Sequence, residues 1–141
     1  MINWGILGAG RIAHRFAASL SHEGRSALVA ISCRSEEKAA AFASEFGVAS
    51  DHAFWDVDGE GSAHEAMLED ASVDAVYVAL PHGLHAEWVE RALLAGKAVL
   101  CEKPLALDED EARRLAAISR REGVLLMEGM KTRFTPAYRQ V

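Results

Sequence analysis

The sequence predicts an α/β fold, a doubly wound parallel sheet with helices on both faces. Three observations carry it. Short apolar runs alternate with amphipathic helical segments almost from end to end. The runs are apolar at consecutive positions, as strands covered on both faces require. The first run leads directly into a glycine-rich turn that opens a helix.

The elements follow in order. "INWGIL" (2–7) is a strand, and the helix after the glycines carries Ile12, Phe16 and Leu20 four apart on one face. "ALVAISC" (27–33) is the second strand. Ser35 is placed as the N-cap of a helix bearing Ala39, Phe42, Ala43 and Phe46, which Gly47 ends. The stretch 49–65 reads as an irregular acidic loop. Its Asp51, Asp56, Asp58 and Glu60 lack the spacing of a calcium loop and read as solvated carboxylates. "VDAVYVAL" (73–80) is a central strand stopped by Pro81. A helix with Leu84, Trp88 and Ala92 in register follows, closed by Gly96, with Trp88 assigned to the core. "AVLCE" (98–102) is the next strand, Asp108 with Glu111 starts a helix through Leu115 and Ile118, and "VLLME" (124–128) is the last strand.

Composition narrows the function. The 141 residues suit one domain with a sizeable core, and 50% hydrophobic with 26% charged residues is ordinary for a soluble globular chain. A net charge of −6 argues against a nucleic-acid binder, which needs a basic stripe. No apolar run reaches the roughly 20 residues of a membrane span. The start "INWGILGAG" has no basic region or cleavage site of a signal peptide. Cys33 and Cys101 sit at the ends of apolar runs and read as buried free thiols, so a cytoplasmic protein is expected.

The glycine turn is Gly8-Ala9-Gly10-Arg11-Ile12-Ala13, a G-x-G-x-x-A signature in strand–turn–helix context. Gly8 permits the tight turn and Gly10 lets the backbone approach a pyrophosphate. Ala13 lets the helix pack close to the strand. The anion then sits at the helix N-terminus, where free N–H groups favour it. At the end of the second strand, where a carboxylate would hold an adenosine ribose, stands Cys33, followed by Arg34, Ser35 and Lys38. A guanidinium, a hydroxyl and an ammonium suit a 2′-phosphate, so NADP is expected in preference to NAD. A plain helix start with solvated charges would use the same residues.

Two more segments fall at carboxyl ends of strands, "LPHGLH" (80–85) and "CEKP" (101–104). In an open α/β sheet the ligand crevice lies along that edge. Glu102 and Lys103 therefore emerge where a nicotinamide and its substrate would meet, and a lysine there suits proton exchange with a hydroxyl. A surface Glu-Lys pair is the alternative from spacing alone. His82 and His85 have no third ligand nearby, so no metal is expected.

With "GILGAGRIA", "VDAVYVALPHGLHAEWVERALLAGKAVLCEKPLAL" and "EARRLAAISRREGVLLMEGMKTRFTPAY", the sequence resembles the glucose–fructose oxidoreductase / inositol dehydrogenase / MocA-like family over essentially its whole length. The "CRS" at 33–35 and "TRFTPAY" at 132–138 are most similar to its dihydrodiol and xylose dehydrogenase branch. The resemblance implies a Rossmann-type NAD(P)-binding domain over 1–130. It also implies that 131–141 begin the connection to a second α/β domain that these 141 residues do not hold. It implies an oxidoreductase acting on a sugar, polyol or dihydrodiol. Apolar surface that the second domain would cover is expected to drive self-association, so a homo-oligomer is expected. Lys103 would be the catalytic lysine, touching the substrate hydroxyl and the nicotinamide ribose. Leu80, Pro81, His82 and His85 would line the cofactor, and Glu102 would hold the loop beside it. A stand-alone dinucleotide-binding module without turnover is the other reading, and the 141 residues by themselves are expected not to turn over substrate.

Overall fold

A computed structural model describes residues 1–57 and 62–135. Six strands, β1 (Ile2–Leu7), β2 (Ser26–Cys33), β3 (Ala53–Trp55), β4 (Ala75–Val78), β5 (Ala98–Cys101) and β6 (Leu126–Glu128), form one sheet. Its order is β3-β2-β1-β4-β5-β6, with every neighbouring pair parallel. The helices are α1 (Arg11–Leu20), α2 (Glu36–Phe46), α3 (Ser62–Glu69), α4 (His85–Leu94) and α5 (Glu109–Glu122). The chain winds outward through β3, then crosses back beside β1 and winds the other way. That reversal opens a crevice between the carboxyl ends of β1 and β4.

Side chains alternate along β1 to β5 between two buried clusters. Leu7, Val76 and Val78 join Met67, Trp88, Val89, Leu93 and Leu115 beneath α3, α4 and α5. Ile6, Ile31 and Tyr77 join Ala13, Ala17, Phe42 and Ala43 beneath α1 and α2. β1 to β5 thus feed both cores, which is why their residues are apolar at consecutive positions, whereas β6 sets only Leu126 against the first and leaves Met127 exposed. Burying a side chain of the size of Leu93 stabilises by about 1.5–3 kcal/mol.

The caps are where the residue types place them. Ser35 Oγ accepts from the Lys38 amide at 3.4 Å, and Gly47 ends α2 in the left-handed region at φ 73°. Asp108 Oδ1 accepts from the Glu111 amide at 2.9 Å while Glu111 Oε2 accepts from the Leu107 amide at 3.0 Å. Cys33 and Cys101 are both buried and unpaired, and Trp88 is buried. Among the described residues no helix is long and apolar enough to cross a membrane.

Three features differ from expectation. The segment 49–65, read as an irregular loop, holds β3 and the start of α3. A three-residue strand shows no alternation, and Asp56 is not simply solvated: its Oδ1 accepts from the Ala63 amide at 3.0 Å and so caps α3. Asp58 and Glu60 lie outside the described residues, as do Pro136, Ala137 and Tyr138 of the "TRFTPAY" stretch. The phase of α1 is also one step round. Ala13 and Ala17 face the sheet, whereas Ile12 is 40% exposed. Small side chains win that face because the tight turn before the helix draws it close to the strands. Phe16 flanks it and stacks on Tyr77 with ring centroids 4.0 Å apart. Finally, β4 is shorter than 73–80, because Ala79 and Leu80 turn into the crevice edge.

The glycines make a quantitative contrast. A Cβ at Gly8, at φ 97°, would stand 2.7 Å from the Ala79 carbonyl oxygen, whereas one at Gly47 would meet nothing within 4 Å. Gly47→Ala should cost only the left-handed backbone penalty, about 1–2 kcal/mol. Gly8→Ala adds a backbone clash to that and should destabilise more, by roughly 3 kcal/mol. Urea titrations of both variants check the order, and equal losses would contradict it.

Candidate nucleotide-binding site

Backbone hydrogen bonds carry the ladder past the ends of the strands and align the loops. The Gly8 amide donates to Ser32 O at 2.8 Å, the Ala79 amide to Leu7 O at 2.9 Å, and the Glu102 amide to Val78 O at 3.0 Å. The glycine turn, the end of β2, the loop after β4 and the loop after β5 therefore stand in a row on one sheet edge. Between the first three lies a cavity of about 500 Å³, large enough for part of a dinucleotide.

Eight of the residues expected at a cofactor line this cavity: Gly8, Gly10, Cys33, Arg34, Ser35, Lys38, Leu80 and Pro81. Ala9, His64, Ala79 and Leu84 complete its wall. The fit to a dinucleotide is visible in the backbone. Gly10 bears no side chain toward an open space, since a Cβ there would meet nothing within 4 Å. The first intrahelical bond of α1 runs from the His14 amide to Gly10 O, so the amides of Arg11, Ile12 and Ala13 have no intrahelical acceptor. No acidic residue lies in that first turn, leaving the positive helix end free for an anion. At the end of β2 the Cys33 thiol turns back to donate to Ser35 O at 3.2 Å. Arg34 and Lys38 are exposed there, with no carboxylate at the strand end to take a ribose diol.

The remaining expected residues lie off this wall. Arg11 and Ile12 are exposed at the start of α1, and Ala13 is buried under it. His82 is exposed in a single turn of 3-10 helix (His82–Leu84) after β4. His85 is fully buried. Its Nδ1 lies 2.6 Å from Pro104 O and its Nε2 2.8 Å from Leu80 O, so its ring ties the loop after β4 to the loop after β5. Lys103 is exposed, at a cis Lys103-Pro104 bond.

Glu102 is half-buried and held on both oxygens. Its Oε1 accepts from the Tyr77 hydroxyl at 2.6 Å, and its Oε2 accepts from the Lys103 amide at 3.3 Å. Burial, and then the hydrogen bond and charge of Glu102, push the Tyr77 phenol far above its ordinary range. Burial, with the charges of Glu102 and Glu128, raises the Cys101 thiol to about 12, so it is no nucleophile. The loop beyond is fixed by Glu128 Oε1, which accepts from the Leu105 amide at 2.9 Å. Gly129 passes so close that a Cβ would stand 3.2 Å from Cys101 O. Tyr77, Glu128 and His64 were not singled out in the sequence. A phenol amid valines in "VDAVYVAL" is the one signal that could have flagged Tyr77.

Residues 2–130 match the oxidoreductase family described by its NAD-binding Rossmann fold, named for glucose–fructose oxidoreductase, inositol dehydrogenase and MocA. The chain belongs to that family and is a NAD(P)-binding domain of it. It is 43% identical over 142 residues to a dTDP-3,4-didehydro-2,6-dideoxy-alpha-D-glucose 3-reductase of Actinomadura kijaniata, covering 99% of this chain and 40% of the relative. A trans-1,2-dihydrobenzene-1,2-diol dehydrogenase of Mus musculus is 36% identical over 96% of this chain and 39% of its own length. A crystal structure of a 3-ketoreductase from Actinomadura kijaniata in complex with NADP superposes with a TM-score of 0.87 at 41% identity, over 99% of this chain and 42% of that one. The chain thus spans about 40% of the length of the relatives it matches.

The Tyr77–Glu102 bond has a pH signature. Because folding raises the Tyr77 pKa, its contribution is complete below the unfolded value near 10 and is lost as pH rises above it. Tyr77→Phe should cost roughly 1.5–3 kcal/mol at pH 8, the worth of a hydrogen bond to a charged group. The gap to wild type should narrow above pH 10. Urea melts at pH 8 and pH 11 measure both, and a gap that widens with pH would contradict the assignment.

Proposed function

We propose that the chain is the cofactor-binding domain of an NADP-dependent oxidoreductase that moves hydride between the nicotinamide and a hydroxyl or carbonyl carbon of a sugar, polyol or dihydrodiol. The observation that carries this reading is the end of β2. Arg34, Ser35 and Lys38 line a cavity shared with the glycine turn, and no carboxylate stands there. Gly8, Gly10 and the amides of Arg11, Ile12 and Ala13 take the pyrophosphate. Arg34 and Lys38 pair with the 2′-phosphate through charge-assisted bonds.

When bound, the cofactor supplies a nicotinamide ring that accepts or releases hydride. Lys103 takes the substrate hydroxyl proton as the adjacent C–H bond gives up its hydride, and returns it in the reverse direction. Glu102, fixed by Tyr77, and His85, fixed between Leu80 and Pro104, hold the backbone from which Lys103 projects. Pro81 and His82, in the loop after β4, would line the nicotinamide side of the cofactor.

Lys103 lies outside the cavity wall and is exposed. That favours a second statement: the 141 residues alone bind the dinucleotide without turnover, since rate depends on holding substrate carbon and nicotinamide in near-attack geometry. The residues that would do so belong to the longer chain of this proposal. Exposed apolar side chains at Leu125, Met127, Met130 and Phe134 support self-association, as expected of a homo-oligomer. The buried free thiols support a cytoplasmic setting.

Calorimetric titration tests the cofactor. NADPH should bind roughly 10- to 100-fold more tightly than NADH, one charge-assisted contact being worth about 1.5–3 kcal/mol. Arg34→Ala should abolish most of that preference while barely changing NADH affinity. Equal affinities in the wild-type chain would end the NADP assignment. In the longer enzyme, Lys103→Ala should lower kcat by about 10²- to 10⁴-fold with little change in NADPH affinity. A near-normal kcat would remove Lys103 from the chemistry.

A further inference from the structure

One polar side chain on the cavity wall is not accounted for by the glycine turn or by the cationic end of β2. His64, in the first turn of α3, is 4% exposed and lines the cavity together with Arg34 and Leu84. Its Nδ1 lies 2.8 Å from Ser32 Oγ. Ser32 is fully buried on β2, its carbonyl already holds the Gly8 amide, and its hydroxyl has no other partner among the described residues.

That geometry selects the tautomer. A buried serine hydroxyl has one proton to place, and Nδ1 is the acceptor within reach. An Nδ1 that accepts from Ser32 leaves the neutral ring's proton on Nε2. The opposite tautomer would strand the hydroxyl proton in the core. Burial foremost, and the nearby Arg34 charge, hold the His64 pKa below its ordinary value against an opposing pull from Asp56, so the ring is neutral at pH 7. Its orientation is fixed by Trp88, which it meets edge-on with centroids 4.7 Å apart, while the Arg91 guanidinium covers the Trp88 ring at 4.7 Å. Nε2 has no hydrogen-bond partner among the described residues.

We propose that His64 Nε2–H is a neutral hydrogen-bond donor to an acceptor atom at the adenosine end of the bound dinucleotide, a 2′-phosphate oxygen or an adenine ring nitrogen. The proposal rests on the nucleotide reading of the cavity. It adds a specific role for α3: the Gly8 amide, the Ser32 carbonyl and hydroxyl, and the His64 ring form one relay. Through it the glycine turn and the adenosine pocket are built as a unit.

The test uses the 141-residue chain with adenosine 2′,5′-bisphosphate and AMP as probes. In histidine-selective ¹⁵N spectra the free protein should show His64 as the Nε2–H tautomer, and saturation with the bisphosphate should move that proton downfield. His64→Leu should weaken binding about 3- to 10-fold where the acceptor is an adenine nitrogen, the worth of one neutral hydrogen bond, and about 10- to 100-fold where it is a charged phosphate oxygen. His64→Gln, which keeps a donor near the same place, should recover part of the loss. A loss confined to the bisphosphate assigns the phosphate oxygen, and an equal loss for both probes assigns adenine. An Nδ1–H tautomer, an unmoved Nε2 proton at saturation, or unchanged affinities in His64→Leu would overturn the proposal while leaving the nucleotide site intact. Failure of the wild-type chain to bind either probe would overturn both.

Discussion

At Gly8 three strands meet. Its amide is bonded to the carbonyl of Ser32 on β2, and its α-carbon passes so near the Ala79 carbonyl after β4 that a methyl group would stand 2.7 Å from that oxygen. The turn it makes, at φ 97°, is open to glycine and strained for other residues. From this one close approach much of the domain follows. The chain leaves β1 at an angle that lays α1 flat on the sheet, so Ala13 and Ala17 rather than larger residues must face it. The same turn brings Gly10 to the cavity wall, where α1 begins with its first amides unpaired within the helix. The crevice exists because strand order reverses between β1 and β4.

A second layer of polar ties holds the opposite side of the crevice. Tyr77 to Glu102, His85 to Leu80 and Pro104, and Glu128 to Leu105 each join a buried or half-buried side chain to a loop at a strand end. Tyr77 and His85 are buried, so their bonds act in a medium where a lost partner is costly. The exposed Lys103 thus rises from a backbone fixed at several points. Pre-organisation of this kind is what the role proposed for Lys103 requires.

The legible parts of the fold were those with a repeating or local physical cause. Strands buried on both faces show as continuous apolar runs, and Ser35, Gly47 and Asp108 mark helix ends by chemistry that needs no distant partner. The glycine turn was legible for the same reason. What could not be read depended on distant contacts. β3 is three residues long and has no period, and α3 went unseen because Asp56, its cap, looks like any solvated acid. With α3 unseen, His64 had no place beside Ser32, 32 residues away. The spacing P-x-x-x-H shows that His85 shares a turn with Pro81, but not that its ring points inward between two carbonyls. Helical spacing likewise puts Ile12 on the packed face of α1, and packing against the sheet moves that face one residue round to Ala13 and Ala17.

The central claim is that one cavity, built by the glycine turn and the end of β2, holds the adenosine and pyrophosphate of NADP. A crystal structure of the chain grown with NADP⁺ tests it most directly. The account predicts the pyrophosphate against the backbone of Gly10 and the first amides of α1, with the 2′-phosphate between Arg34, Ser35 and Lys38. Density for the dinucleotide elsewhere on the sheet, or with its 2′-phosphate turned away from Arg34 into solvent, would contradict it.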